Sequence, residues 1–187
     1  TVVAGGNGFG SDLNQLNSPR GVFVTDNGDV YVADTENSRI MLWKNGSDTG
    51  QTVINADDSN INGLTFFKPS DVYVDDFLNI YVLDRSQPNV WKFDNNSSAG
   101  EIIINLPSEK AEGFYFRDDG TIFIAIAKSD GENQVVKWNP NYGSKETVTV
   151  LGGSKGDGSK KFNQPHDISF DSNGDLYAVS YTHLTLP

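Results

Sequence analysis

Residues 19–34, PRGVFVTDNGDVYVAD, decide how this chain folds, because the sequence returns to the same pattern three more times. The returns are PSDVYVDDFLNIYVLD from Pro69, AEGFYFRDDGTIFIAI from Ala111 and PHDISFDSNGDLYAVS from Pro165. Each reads as a strand, a tight polar turn and a second strand. Val22, Val72, Phe114 and Ile168 are equivalent, and so are Val30, Ile80, Ile122 and Leu176; both sets carry the same three spacings. Two registers held at once are a repeat, in which one unit cannot bury its own apolar faces and must stack on neighbours.

Working outward, each motif is followed by a third strand: RIMLW from Arg39, NVWKF from Asn89 and QVVKW from Gln134, with Trp43, Phe93 and Trp138 in register. A fourth β-rich segment follows at 52–56, 102–105 and 148–153, and TVVAGG at 1–6 matches it at the start of the chain. The first repeat therefore has strands near 20–25, 29–33, 39–43 and 52–55. Short hairpin turns join them into a four-stranded antiparallel sheet. Val22, Val24, Val30 and Val32 point one way while Phe23, Tyr31 and Ala33 point the other. Both sets are apolar, as expected for a sheet covered on both faces. Sheets of this kind repeated around an axis form a β-propeller, the all-β fold expected here.

Composition agrees. The 19 glycines and aromatic-rich strands suit many turns in a β protein. With 14 basic and 25 acidic residues the net charge is −11, which argues against nucleic acid as the partner. The chain has no cysteine, so disulfides and thiolate metal sites are excluded without fixing the compartment. No apolar run approaches a membrane-spanning length.

The segment PRGVFVTDNGDVYVADTENSRIMLW resembles an NHL repeat, with its Pro-x-Gly-Val start, Gly-x-Val-Tyr-Val-x-Asp centre and Asn-x-Arg-Ile end. The resemblance extends over about residues 1–178 and implies an incomplete ring of about three and a half blades, against the six usual in the family. The expected blades are 19–56, 69–105, 111–151 and 165–178, with 1–5 the outer strand of a preceding blade. Blade two has Asn89 where blade one has Arg39, and blade three lacks the proline and the aspartate. Residues 179–187 break the repeat and resemble a translated sequencing-library adapter; this tail is expected to be irregular or foreign to the protein. The isolated chain would leave blade faces open, so self-association is expected.

Candidate functional residues follow from the repeat. The acidic turns after each first strand lack the ligand spacing of a calcium loop and suit hairpin geometry instead. The resemblance implies that Asp34 and Asp84 brace the turn behind the second strand. The position before each innermost strand carries a different polar group in each blade: Arg20, Ser70, Glu112 and His166. On a propeller these lie near the mouth of the central channel, where a ligand site is expected. Pro165-His166-Asp167 resembles the Pro-His-Gly segment of amidating and streptogramin lyases, and Glu112-Gly113 resembles a metal-binding Glu-Gly of gluconolactonase-type propellers. Phe66 and Phe67, outside the repeat register, are further candidates for ligand contact. Asn45, Asn95 and Asn96 begin glycosylation triplets, which would suit an extracellular chain.

Two functions are then in view. The first is a non-catalytic scaffold recognising a protein, peptide or glycan through loops on one face, with no cofactor and no catalytic set. The alternative is a metal-assisted lyase or lactone hydrolase at the channel mouth, with His166 and Glu112 as ligands or acid–base groups and calcium or zinc as the ion. The absence of a complete catalytic set favours the first.

Overall fold

The computed structural model describes residues 2–56, 68–97, 99–106, 110–128, 133–145, 147–152 and 164–180. Phe66, Phe67 and residues 181–187 lie outside the described residues. The first blade is the antiparallel sheet β1 (Val22–Val24), β2 (Val30–Asp34), β3 (Arg39–Trp43) and β4 (Gln51–Asn55), paired in chain order. The second is β5 (Pro69–Val74), β6 (Ile80–Asp84), β7 (Asn89–Phe93) and β8 (Gly100–Asn105). The third is β9 (Lys110–Phe116), β10 (Ile122–Ala127), β11 (Gln134–Trp138) and β12 (Val148–Gly152), and a hairpin, β13 (Pro165–Phe170) with β14 (Leu176–Ser180), begins the fourth. The chain divides into two compact units, Thr1–Ile103 and Ile104–Pro187.

The four turns inside the repeated motif are built alike. The amides of Thr25, Asp75, Arg117 and Asp171 donate to the carbonyls of Asp29, Asn79, Thr121 and Asp175, and a second bond closes each turn. The fourth turn residue is left-handed, which is why Gly28, Gly120 and Gly174 stand there. Carboxylates serve the turns locally: Asp171 accepts from the amides of Asn173 and Asp175, and Asp29 is held by Asn45 N and Lys44 Nζ.

In the first unit, Tyr31, Ala33, Ile40 and Leu42 of blade one pack on Val72, Val74, Val82, Trp91 and Phe93 of blade two. Phe93 is fully buried, a burial that contributes about 1.5–3 kcal/mol. The opposite face of blade one differs from expectation. Val30, Val32, Met41 and Trp43 are covered by Ala4 and Leu16 of the leading segment, and no described strand includes residues 2–6. Val22 and Val24, expected inside, are 60% and 56% exposed, because that segment reaches only the second and third strands. In the second unit Phe123, Ala125 and Val135 meet Ile168 of the hairpin, with Phe170, Leu176 and Ala178 beside them. β14 runs two residues past the expected boundary at 178.

Candidate functional site

The candidate residues sit where each first strand enters its blade, and in blades two, three and four the backbone there follows one rule. Pro69 pairs with Asp84 and Asp71 with Leu83, so Ser70 is the extra residue of a β-bulge. Ala111 pairs with Ile126 and Gly113 with Ala125, which makes Glu112 the extra residue in blade three. Pro165 pairs with Ser180 and Asp167 with Val179, leaving His166 in the same role. A bulge lifts one side chain out of the strand's alternation and re-aims it. Nothing in a single repeat's sequence announces it.

Glycine and aspartate around the bulge set the spacing between neighbouring innermost strands. A Cβ on Gly21 would stand 2.5 Å from Asp71 Cα, and one on Gly113 would stand 2.7 Å from His166 O. Asp71 and Asp167 are in turn fixed by accepting from the amides of Val72 and Ile168. The contact pairs a glycine in one blade with an aspartate-bearing stretch in the next. Close approach of backbone, and not turn geometry, is what these two glycines supply.

That approach brings Glu112 and His166 together. His166 Nδ1 lies 4.0 Å from Glu112 Oε2, an ion-pair separation; the Glu112 side chain is 5% exposed and that of His166 is 34% exposed. A buried carboxylate beside a reachable imidazole can hold or pass a proton, or give two ligands to a metal. Among the described residues no group of three or more His, Asp or Glu is placed to hold an ion.

In the first unit Arg20 is exposed and its backbone amide donates to Ala33 O. Ser70 departs from expectation: it is 2% exposed and its hydroxyl donates to Leu83 O, so it serves the blade and offers no free surface to a ligand. The sequence reading missed Glu36, Lys68 and Arg85. Lys68 Nζ donates to Glu36 Oε2 at 2.7 Å, and this ammonium holds the Glu36 carboxyl below its usual range, with Arg85 and Arg20 adding to the field. Lys68 is therefore paired with Glu36, and Arg85 and Arg20 lie near enough to act on the same carboxylate, at this end of blades one and two. Their positions beside Pro19, Pro69 and Asp84 were the available signal.

Below this surface Asp34 and Asp84 brace their turns, as the repeat implied. Asp34, fully buried, accepts from Asn17 N, Asn37 Nδ2 and Arg39 Nε, the last at 2.7 Å. Among the described residues Asp84 has no arginine partner. Its Oδ1 accepts from Lys68 N, Ser86 N and Ser86 Oγ, its Oδ2 has no hydrogen-bond partner among the described residues, and burial pushes its carboxyl upward.

These sheets and their stacking are those of a β-propeller. The profile of the NHL repeat matches residues 16–40, and the fold is an NHL-type β-propeller with, among the described residues, three full blades and one further hairpin. A streptogramin B lyase is similar over 90% of this chain and 49% of its own, at 14% identity and a TM-score of 0.61. Virginiamycin B lyase from Staphylococcus aureus gives 13% identity, 90% and 51% coverage and a TM-score of 0.62. A chain of a nidogen/laminin complex gives 12% identity, 87% and 56% coverage and a TM-score of 0.66. The chain thus spans about half the length of the solved structures it matches. No curated protein matches it in sequence.

Proposed function

We propose that the chain is part of a binding scaffold that recognises a protein, peptide or glycan through the end of the blades where the innermost strands begin. One observation carries the reading. A bulge recurs in blades two, three and four with a different side chain at its crest each time; Ser70 and Glu112 turn inward while His166 stays reachable beside Glu112, so the frame is kept while what each blade offers at its surface varies. In the first unit Arg20, Lys68 and Arg85 around Glu36 favour a ligand with an acidic group there. The nidogen/laminin structure gives a protein complex as one precedent on this fold. Asn45, Asn95 and Asn96 are exposed on turns at the other end of blades one and two, so glycans there would leave this surface open. The test is binding of the chain to arrayed acidic peptides and glycans, repeated with Arg20→Glu and His166→Ala. Binders insensitive to both changes would overturn the assignment.

A second reading, metal-assisted lyase or lactone hydrolase chemistry, draws on the Glu112–His166 pair and on the lyases among the structural relatives. Two donors alone do not complete a metal site. Bound calcium or zinc in the purified chain, lost in both Glu112→Gln and His166→Ala, would support it; absence of metal from the chain after incubation with either ion would remove it.

A further inference from the structure

The turn Asp75-Asp76-Phe77-Leu78-Asn79 is where blade two breaks the rule of the other turns. Blades one and four put Asn-Gly at its centre and blade three Asp-Gly; blade two puts Phe-Leu. Leu78 is held at φ 64°, a left-handed backbone that costs a leucine roughly 1 kcal/mol or more relative to glycine. Phe77 is 78% exposed and Leu78 is exposed beside it. Two bulky apolar side chains on a polar hairpin tip, one of them strained, bring the folded chain little burial in return.

Leu78 lines a groove, and Phe77 is the residue next to it on the same turn. A hollow of about 280 Å³ lies between the turns of blades one and two, entirely within the first unit. Phe23, Val74 and Leu78 form its apolar wall, and Asp26, Asp75 and Asp76 its rim. Asp75 is occupied, accepting from Phe77 N, Asn79 N, Asn79 Nδ2 and Tyr81 OH. Asp26 and Asp76 are exposed and make no bond to another described residue. The nearby cation Lys44 is already committed to Asp29. The size suits one long side chain, since pockets for whole small molecules run from about 300 to 1,000 Å³.

We propose that this groove, at the opposite end of the blades from Arg20 and Lys68, docks a basic peptide segment of a partner protein by one arginine flanked by apolar residues. The arginine stem lies along Phe23 and Leu78, as long cationic side chains cover apolar surface while keeping the head in a polar setting. The guanidinium is met by Asp26 and Asp76, planar donors facing two carboxylates that the fold leaves unused. The flanking apolar residue covers Phe77. A neutral apolar segment would leave the two carboxylates desolvated and unpaired, which selects against it.

The test uses the 187-residue chain produced without glycosylation, because a glycan on Asn45 would sit beside Asn27 at the groove's edge. The probe is the synthetic peptide acetyl-Gly-Leu-Arg-Leu-Gly-amide, with its citrulline counterpart as the neutral isostere. Saturable amide-shift changes at 23–29 and 74–79 are expected with the arginine peptide and not with citrulline. Asp26→Asn with Asp76→Asn weakens binding at least tenfold, and added salt weakens the wild type. Leu78→Gly with Phe77→Asn restores the turn of the other blades: the chain melts no lower, yet peptide binding falls. Equal response to citrulline, shifts centred elsewhere, or no saturable binding of the arginine peptide would each overturn the proposal.

Discussion

Removing the Arg39 guanidinium tests the base of blade one most directly. Arg39→Met keeps the stem that fills space beneath the loop and deletes four bonds: to Asp34 Oδ2 at 2.7 Å, Ser11 O at 2.7 Å, Asp12 O at 3.2 Å and Gln15 O at 3.1 Å. The three carbonyls belong to a partly exposed loop and regain water, so their loss counts for little. The carboxylate is different. Asp34 is fully buried and would keep Asn17 N and Asn37 Nδ2 but no opposite charge. Breaking a buried pair on one side costs about 3–5 kcal/mol, a large share of the roughly 5–15 kcal/mol that holds a domain folded. Blade two shows what the fold needs otherwise: Asp84 stands without an arginine, but Ser86 supplies both its amide and its hydroxyl. Urea unfolding of Arg39→Met, Asp34→Asn and the double variant, followed by tryptophan fluorescence, measures the loss and the coupling. The double variant is expected to recover a good part of it, with a coupling on the order of 2 kcal/mol. A loss under about 1 kcal/mol for Arg39→Met would refute the reasoning, since the pair would then not be the buried tie the geometry describes.

The other predictions concern packing, protonation and surface. Gly21→Ala and Gly113→Ala should each destabilise by about 1–3 kcal/mol in denaturant, because the new methyl meets backbone of the next blade; unchanged midpoints would mean the strands can part freely. Asp84 titrates higher in the fold than its ordinary value of 3.8, so its share of stability is present below that value and is lost as pH rises through the raised one. Asp84→Asn should therefore gain on the wild type as pH climbs from about 3 to 7, and a constant difference across that range would contradict it. Exposed Val22 and Val24 in the first unit, with Tyr177 and Val179 in the second, should make the chain self-associate; a single monomeric species in sedimentation at micromolar concentration would count against this. Material secreted from a eukaryotic host should carry hexose mass removed by Asn45→Gln with Asn95→Gln and Asn96→Gln, and an unmodified intact mass would rule it out.

The sequence by itself determined the repeat, the strand order within a blade and the hairpin turns. Those are local: a period of two along each strand and glycine at a left-handed turn position are written residue by residue, as Val30–Asp34 and Gly28 show. It also singled out Glu112 and His166, because equivalent positions can be compared by counting. Only the tertiary structure decided that these two side chains meet, that Ser70 turns inward, and that Lys68, Arg85 and Arg20 share the field of Glu36. The same holds for Val22 and Val24, whose apolar character promised burial that a neighbouring surface has to provide. A close approach between the strands of neighbouring blades and a covered face are agreements between distant parts of the chain, and no single repeat contains both partners to them. A bulge lies within one repeat, but it is one extra residue in the pairing of two strands, which the alternation along either strand does not show.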